Sequence, residues 1–137
     1  MNLTEPERTG WERMMGIRFI TATTDEVVAE MNVSEEHHQP MGAVHGGVYC
    51  GLIESATSRG AYEVTKSRGQ APPVGVENHT SFIRTARCGR IRVSATPITR
   101  GRSSQLWEAN VRDEAGQLLA TGRVRLVTPS NKADSKP

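Results

Sequence analysis

Cysteine is scarce in this 137-residue sequence: Cys50 and Cys88 are the two copies, 38 positions apart. Neither belongs to a CxxC or stands beside a His-rich run, so the chain offers no zinc motif and no disulfide framework. Both are expected as buried, reduced thiols. Long apolar runs are missing too. No window approaches the ~20 apolar residues that a bilayer span needs. The N-terminal "MNLTEPERTGWERMMG" lacks the apolar stretch of a signal peptide. The expectation is a soluble, cytoplasmic protein. Aromatic residues make up 4%, and the formal net charge is +2, from 17 basic against 15 acidic residues. So small an excess does not describe a nucleic-acid surface, although local arginine clusters could serve a phosphorylated small ligand.

The length suits one domain with one core and one site. We place that domain at residues 1–128, with the polar "PSNKADSKP" from Pro129 to Pro137 as a disordered tail. No internal repeat or low-complexity tract interrupts it.

What the chain does have is alternation. "DEVVAEMNV" (Asp25 to Val33), "GRIRVSATPI" (Gly89 to Ile98), "SQLWEANVRD" (Ser104 to Asp113) and "QLLATGRVRLV" (Gln117 to Val127) run with period two and predict strands. "DEAG" (Asp113 to Gly116) is a compact turn ending in glycine, which makes the last two an antiparallel hairpin. "MGIRFITATT" and "PVGVENHTSFIR" supply two further strands. From about Gly46 to Lys66 the apolar residues instead recur at helical spacing, with Gly47, Gly51 and Gly60 keeping the helix slim. A short amphipathic helix is expected around Pro6 to Met15. A sheet of five or six antiparallel strands with one face to cover calls for a single long helix across it, an α+β architecture.

"QPMGAVHGGVYCGLIESATSRG", Gln39 to Gly60, holds the chemistry-bearing residues. Glu54 and Ser58 are four apart and share one helix face. Gly46 stands where free N–H groups and the positive end of the helix dipole are expected, and its missing Cβ would let an acyl carbonyl approach the amide. Glu54 lies a little over two turns further on. Each residue also has a plain structural reading: Glu54 as a solvated helix residue, His45 as a cap, the glycine pair as close packing. Arg100 and Arg102 could be solvated strand-end charges. His37 and His38 are adjacent and lack further ligands at metal spacing, so no metal site is expected.

The pattern "QPMGAVHGGVYCGLIES", continued by "VGVENHTSFIRTARCGRIRVSATPITRGRSSQLWEANVRDEAGQLLATGRVRL", resembles the hot-dog-fold acyl-CoA thioesterases. The branch is the one with the hydroxybenzoyl-CoA thioesterase of the Arthrobacter type and the dihydroxynaphthoyl-CoA hydrolases. The resemblance covers roughly Gly16 to Val127. It implies a hot-dog fold, a five- or six-stranded antiparallel sheet wrapped around one long central helix, and hydrolysis of an acyl-CoA thioester with an aromatic or bulky acyl group. It implies that Glu54 attacks the thioester or activates water and that the Gly46 amide polarises the carbonyl. His45 would orient the loop or the leaving thiolate, Gln39 would position water or acyl group, and Ser58 would hold Glu54 or the water. Gly75, Arg84 and Thr85, with the turn Gly101, Arg102, Ser103 and Ser104, match stretches that line the nucleotide and pantetheine. No cofactor is implied, since coenzyme A is part of the substrate. The implied partner is a second copy, as a dimer at least and a tetramer by the habit of the family, because a curved sheet leaves edge strands unpaired. The loop with Pro72 and Pro73 is slightly longer than in relatives, and His79 and Phe82 match no ring-recognising role.

Two rival readings belong beside this one. Hot-dog dehydratases also use a loop histidine and a helix carboxylate, but an "HFPG"-like loop is missing here. A non-catalytic acyl-CoA-binding module would have no need of a carboxylate next to a thioester.

Overall fold

The computed structural model describes residues 10–130. Helix α1 (Gly10–Met15) leads into β1 (Arg18–Ala22) and β2 (Val27–Val33). A 3-10 turn, Glu35–His37, precedes the long α2 (Gly46–Ser67). Four strands follow: β3 (Val74–Phe82), β4 (Gly89–Arg100), β5 (Ser104–Asp113) and β6 (Leu118–Val127). All six form one antiparallel sheet in the order β1-β2-β4-β5-β6-β3. Of the expected N-terminal helix, the residues before Gly10 lie outside the described ones, as do those of the expected tail beyond Ser130.

The core forms where two periods meet. β4 buries Ile91, Val93 and Ala95, β5 buries Trp107, Ala109 and Val111, and α2 sets Leu52, Ile53 and Ala56 against them. Burying such side chains contributes about 1.5–3 kcal/mol each, which is how a 22-residue helix containing four glycines is held in place. Deep in this layer Trp107 donates to Gln105 Oε1 at 2.8 Å, and Gln105 donates to the Ala61 carbonyl at 3.2 Å. The hairpin turn matches its sequence: Asp113 Oδ1 accepts from the N–H groups of Ala115 and Gln117, and Gly116 takes a left-handed φ of 83°.

Two expectations need correction, the burial of the cysteines and the end of β4. Cys88 is exposed and Cys50 half-buried, so the two thiols are not core groups. Cys88 falls on the link into β4 rather than on an inward strand position. β4 runs two residues past Ile98, because the register shift between Pro97 and Thr99 absorbs a proline that has no N–H to give. His37 is a structural group: Nδ1 accepts from the Ser34 N–H at 2.9 Å, which leaves Nε2–H to donate to the Met15 carbonyl at 3.2 Å. His38 Nε2 likewise bonds the Arg87 carbonyl at 2.7 Å. No group of potential metal ligands occurs among the described residues.

Candidate active site

α2 begins where two glycines admit neighbouring rings. A Cβ on Gly46 would lie 2.6 Å from Cζ of Phe82, and one on Gly47 would lie 2.9 Å from Nδ1 of His45. His45 is the N-cap. Its Nδ1 accepts from the Gly47 N–H at 2.8 Å, and its carbonyl accepts from the Val48 N–H at 2.9 Å. Those two bonds satisfy the second and third amides of the helix. The first, the Gly46 N–H, donates to none of the described residues. Because Nδ1 accepts, the ring N–H of His45 lies at Nε2.

Around that amide lies a cavity of about 280 Å³, lined by Gln39, Gly46, Tyr49, Phe82, Arg84 and Thr85. The Gln39 side-chain oxygen accepts from the Met41 N–H, so its NH₂ group is the end left to meet a ligand. Tyr49 donates to the Arg84 carbonyl at 3.3 Å, and burial pushes its phenol above the usual tyrosine value, so it stays a protonated donor. Four residues singled out in the sequence, Gln39, Gly46, Arg84 and Thr85, thus share one cavity.

Glu54 and Ser58 lie elsewhere. They line a second cavity of about 260 Å³ with Phe19, Ser55, Arg59 and Tyr62. Ser58 donates to Glu54 Oε2 at 3.1 Å, as their spacing predicts. The other oxygen, Oε1, accepts from Asn78 Nδ2 at 3.1 Å, a contact from β3 that sequence reading missed. Neither donor is charged, and none of the ion pairs among the described residues includes Glu54. Arg59 is occupied instead with Glu63 at 3.0 Å and with the Phe19 ring at 5.3 Å.

The residues matched to coenzyme A are spread along the chain. Gly75 lies against the Glu54 carboxylate, 3.3 Å from Cδ when a Cβ is placed on it. Arg102 and Ser103 border a third cavity with Arg68 and Thr128, while Gly101 and Ser104 close the β4–β5 turn. Val127 pairs with both Val74 and Ser104, so this turn sits at the Val74 end of β3. Arg84 lies past the other end, roughly 25 Å away at ~3.3 Å per strand residue. Arg100 is committed to Asp25 at 2.6 Å.

A six-stranded antiparallel sheet packed on one long helix is the hot-dog fold. The description "Thioesterase superfamily" matches residues 41–120, and the chain belongs to that superfamily. The Mycobacterium tuberculosis (strain ATCC 25618 / H37Rv) protein Rv1847 is 36% identical over 127 residues, 92% of this chain and 88% of that one. Its solved structure superposes with a TM-score of 0.85, at 35% identity, over 93% of this chain and 98% of that one. The 1,4-dihydroxy-2-naphthoyl-CoA hydrolase of Escherichia coli (strain K12) is 34% identical over 110 residues, 80% of this chain and 79% of that one. Two structures of SAV0944 from Staphylococcus aureus, a thioesterase, each have a TM-score of 0.83, at 26% and 25% identity. They cover 88% and 87% of this chain and 98% of theirs. One carries a glutamate changed to alanine and the other a glutamine changed to alanine, 15 positions earlier. Gln39 and Glu54 stand 15 positions apart here as well. No helix among the described residues is long and apolar enough to cross a membrane.

Proposed function

We propose that this thioesterase hydrolyses an acyl-CoA thioester with an aromatic or bulky acyl group, using Glu54 and the Gly46 amide at the reacting carbonyl. The observation that carries the reading is the state of these two groups. The Gly46 N–H is the helix amide left without an acceptor among the described residues, and Glu54 is a carboxylate held by neutral donors on the wall of a cavity. A donor aimed at a developing oxyanion and an un-neutralised carboxylate are what acyl transfer requires. As a nucleophile, Glu54 would attack the carbonyl carbon and expel coenzyme A thiolate, and water would then hydrolyse the anhydride. As a base, it would take a proton from the attacking water. Both routes give free acid and coenzyme A. The naphthoyl substrate named for the E. coli relative and the Phe19 and Tyr62 walls support an aromatic acyl group.

Within one chain the two groups are too far apart. Eight residues of helix at 1.5 Å each set Gly46 and Glu54 about 12 Å from each other along the axis, so one carbonyl cannot meet both. β3 offers the remedy. It is a sheet edge with Val74, Val76 and Phe82 more than half exposed. Its Gly75 end lies at Glu54, and its Phe82 end lies at Gly46. Antiparallel pairing with β3 of a second copy would lay each chain's Glu54 beside the other's Gly46, and would bring Arg84 of one chain toward the Arg102 turn of the other.

The test is thiol release from a panel of aryl- and alkyl-CoA thioesters. Glu54→Gln is expected to lower kcat roughly 100-fold or more, with coenzyme A affinity nearly unchanged. Near-normal turnover of the best substrate by this variant would remove the assignment.

A further inference from the structure

We propose that Asn78 is a positioning residue for the reaction, holding the Glu54 carboxylate in its attacking orientation; the inference rests on the reading of Glu54 given above. The Asn78 Nδ2 lies 3.1 Å from Glu54 Oε1 and 3.0 Å from the Cys50 carbonyl. Both neighbours only accept, so the amide nitrogen must face them. On its other side the Asn78 oxygen accepts from the Thr80 hydroxyl at 2.7 Å. The three bonds leave the amide a single orientation.

Cys50 is one helical turn before Glu54, so the amide ties β3 to the turn of α2 from which the carboxylate projects. Ser58 takes the other oxygen from one turn later. A glutamate side chain is thereby fixed by neutral donors from strand and helix together, and its remaining lone pairs are left for the substrate or water. Helix-borne donors alone would leave Oε1 free to swing.

A backbone irregularity makes the arrangement possible. Gly75 and Asn78 are three apart, and in a regular strand they would face opposite sides of the sheet. The β3–β6 register shifts between Gly75 and Glu77, and beyond the shift both residues face α2. The bulge lets one strand give the carboxylate both its space, at Gly75, and its donor, at Asn78.

Asn78→Ala, Asn78→Asp and Thr80→Val are to be measured by steady-state kinetics on the best acyl-CoA found, alone and in the Glu54→Gln background. Asn78→Ala is expected to lower kcat roughly 10- to 100-fold with KM within about threefold. Asn78→Asp keeps the shape without the donor and should be no better. Thr80→Val should show a smaller loss of the same kind. In the Glu54→Gln background the Asn78 change should cost no more than about twofold, because there is no carboxylate left to position. A purely structural residue would add its full loss in that background, and this result would overturn the proposal. So would wild-type kcat in Asn78→Ala, or a loss confined to KM. If Asn78→Ala does not fold, Asn78→Asp and Thr80→Val decide the same question. Should Glu54→Gln lose activity while all three variants retain it, the Asn78 proposal fails and the catalytic reading stands. Should Glu54→Gln keep full turnover, both fall.

Discussion

The Glu54 carboxylate occupies the space a side chain at Gly75 would need: a Cβ there would collide with Oε2 and lie 3.3 Å from Cδ. The atoms in the way are the far end of a flexible side chain, so the fold can accommodate the change and the carboxylate cannot. Gly75→Ala is therefore expected to unfold within a few degrees of the wild type, yet to lose roughly 10-fold or more in kcat with little change in KM. The resemblance placed Gly75 with coenzyme A. A variant whose KM rises while kcat holds would favour that role and remove the one argued here.

Arg84 and Arg102 stand at opposite ends of the sheet within one chain, each beside its own cavity. If both grip the nucleotide of one coenzyme A across a pair of chains, Arg84→Ala and Arg102→Ala should each raise KM for acyl-CoA, roughly 10-fold for a charge-assisted contact. Both should spare a short pantetheine thioester that lacks the nucleotide. Equal losses on the two substrates would show the arginines to be structural.

Much of this was legible in the sequence, and the gaps have a common cause. β5 ends where its alternation ends, because one face of that strand is buried against α2 within the same chain. Glu54 and Ser58 meet because four residues make one helical turn, a local rule. β3 obeys no such rule. Eight of its nine residues are exposed in the single chain, and only its bulge, which breaks the period-two alternation, puts Asn78 on the helix side with Gly75. Its position beside β6 depends on pairs from Phe82–Ala120 to Val74–Val127, 38 to 53 residues apart, which periodicity does not encode. Asn78 was missed for that reason, whereas the Gly46–Gly47 pair stood out through poor helix propensity alone.

Glu30 ties three strands together on the face away from α2. It accepts from Arg92 at 2.9 Å and Arg18 at 3.2 Å, with Arg90 at 3.7 Å. The Arg92 hydrogen bonds hold its carboxyl below the usual glutamate value, partial burial pushes back, and Arg18 and Arg90 add to the lowering. A depressed folded-state value means stability that is present above the unfolded value, about 4.3, and lost as pH falls through the folded one. Because the arginines are a third to a half exposed, Glu30→Gln should cost about 1–2 kcal/mol at neutral pH. Urea unfolding of both proteins should show the difference shrinking below about pH 4. A gap that persists undiminished at pH 3 would contradict the ion cluster as its source.

The proposed division of labour between two chains makes the sharpest demand on experiment. Glu54→Ala removes the carboxylate. Gly46→Val drives a side chain toward the Phe82 ring, whose Cζ lies 2.6 Å from the first added carbon, and closes the approach to the amide. If each reacting carbonyl takes Glu54 from one chain and Gly46 from another, the two variants are inactive for different halves of the same site. Unfolded together and refolded at equal ratio, random pairing makes half of the dimers hybrid, and each hybrid holds one intact site and one doubly damaged site. Activity per chain should then approach about one quarter of the wild type, although each variant alone gives almost none. Hybrids identified by native mass spectrometry with no recovered turnover would show that one chain supplies both groups. A monomer with full activity by light scattering would dismiss the paired β3 edges altogether.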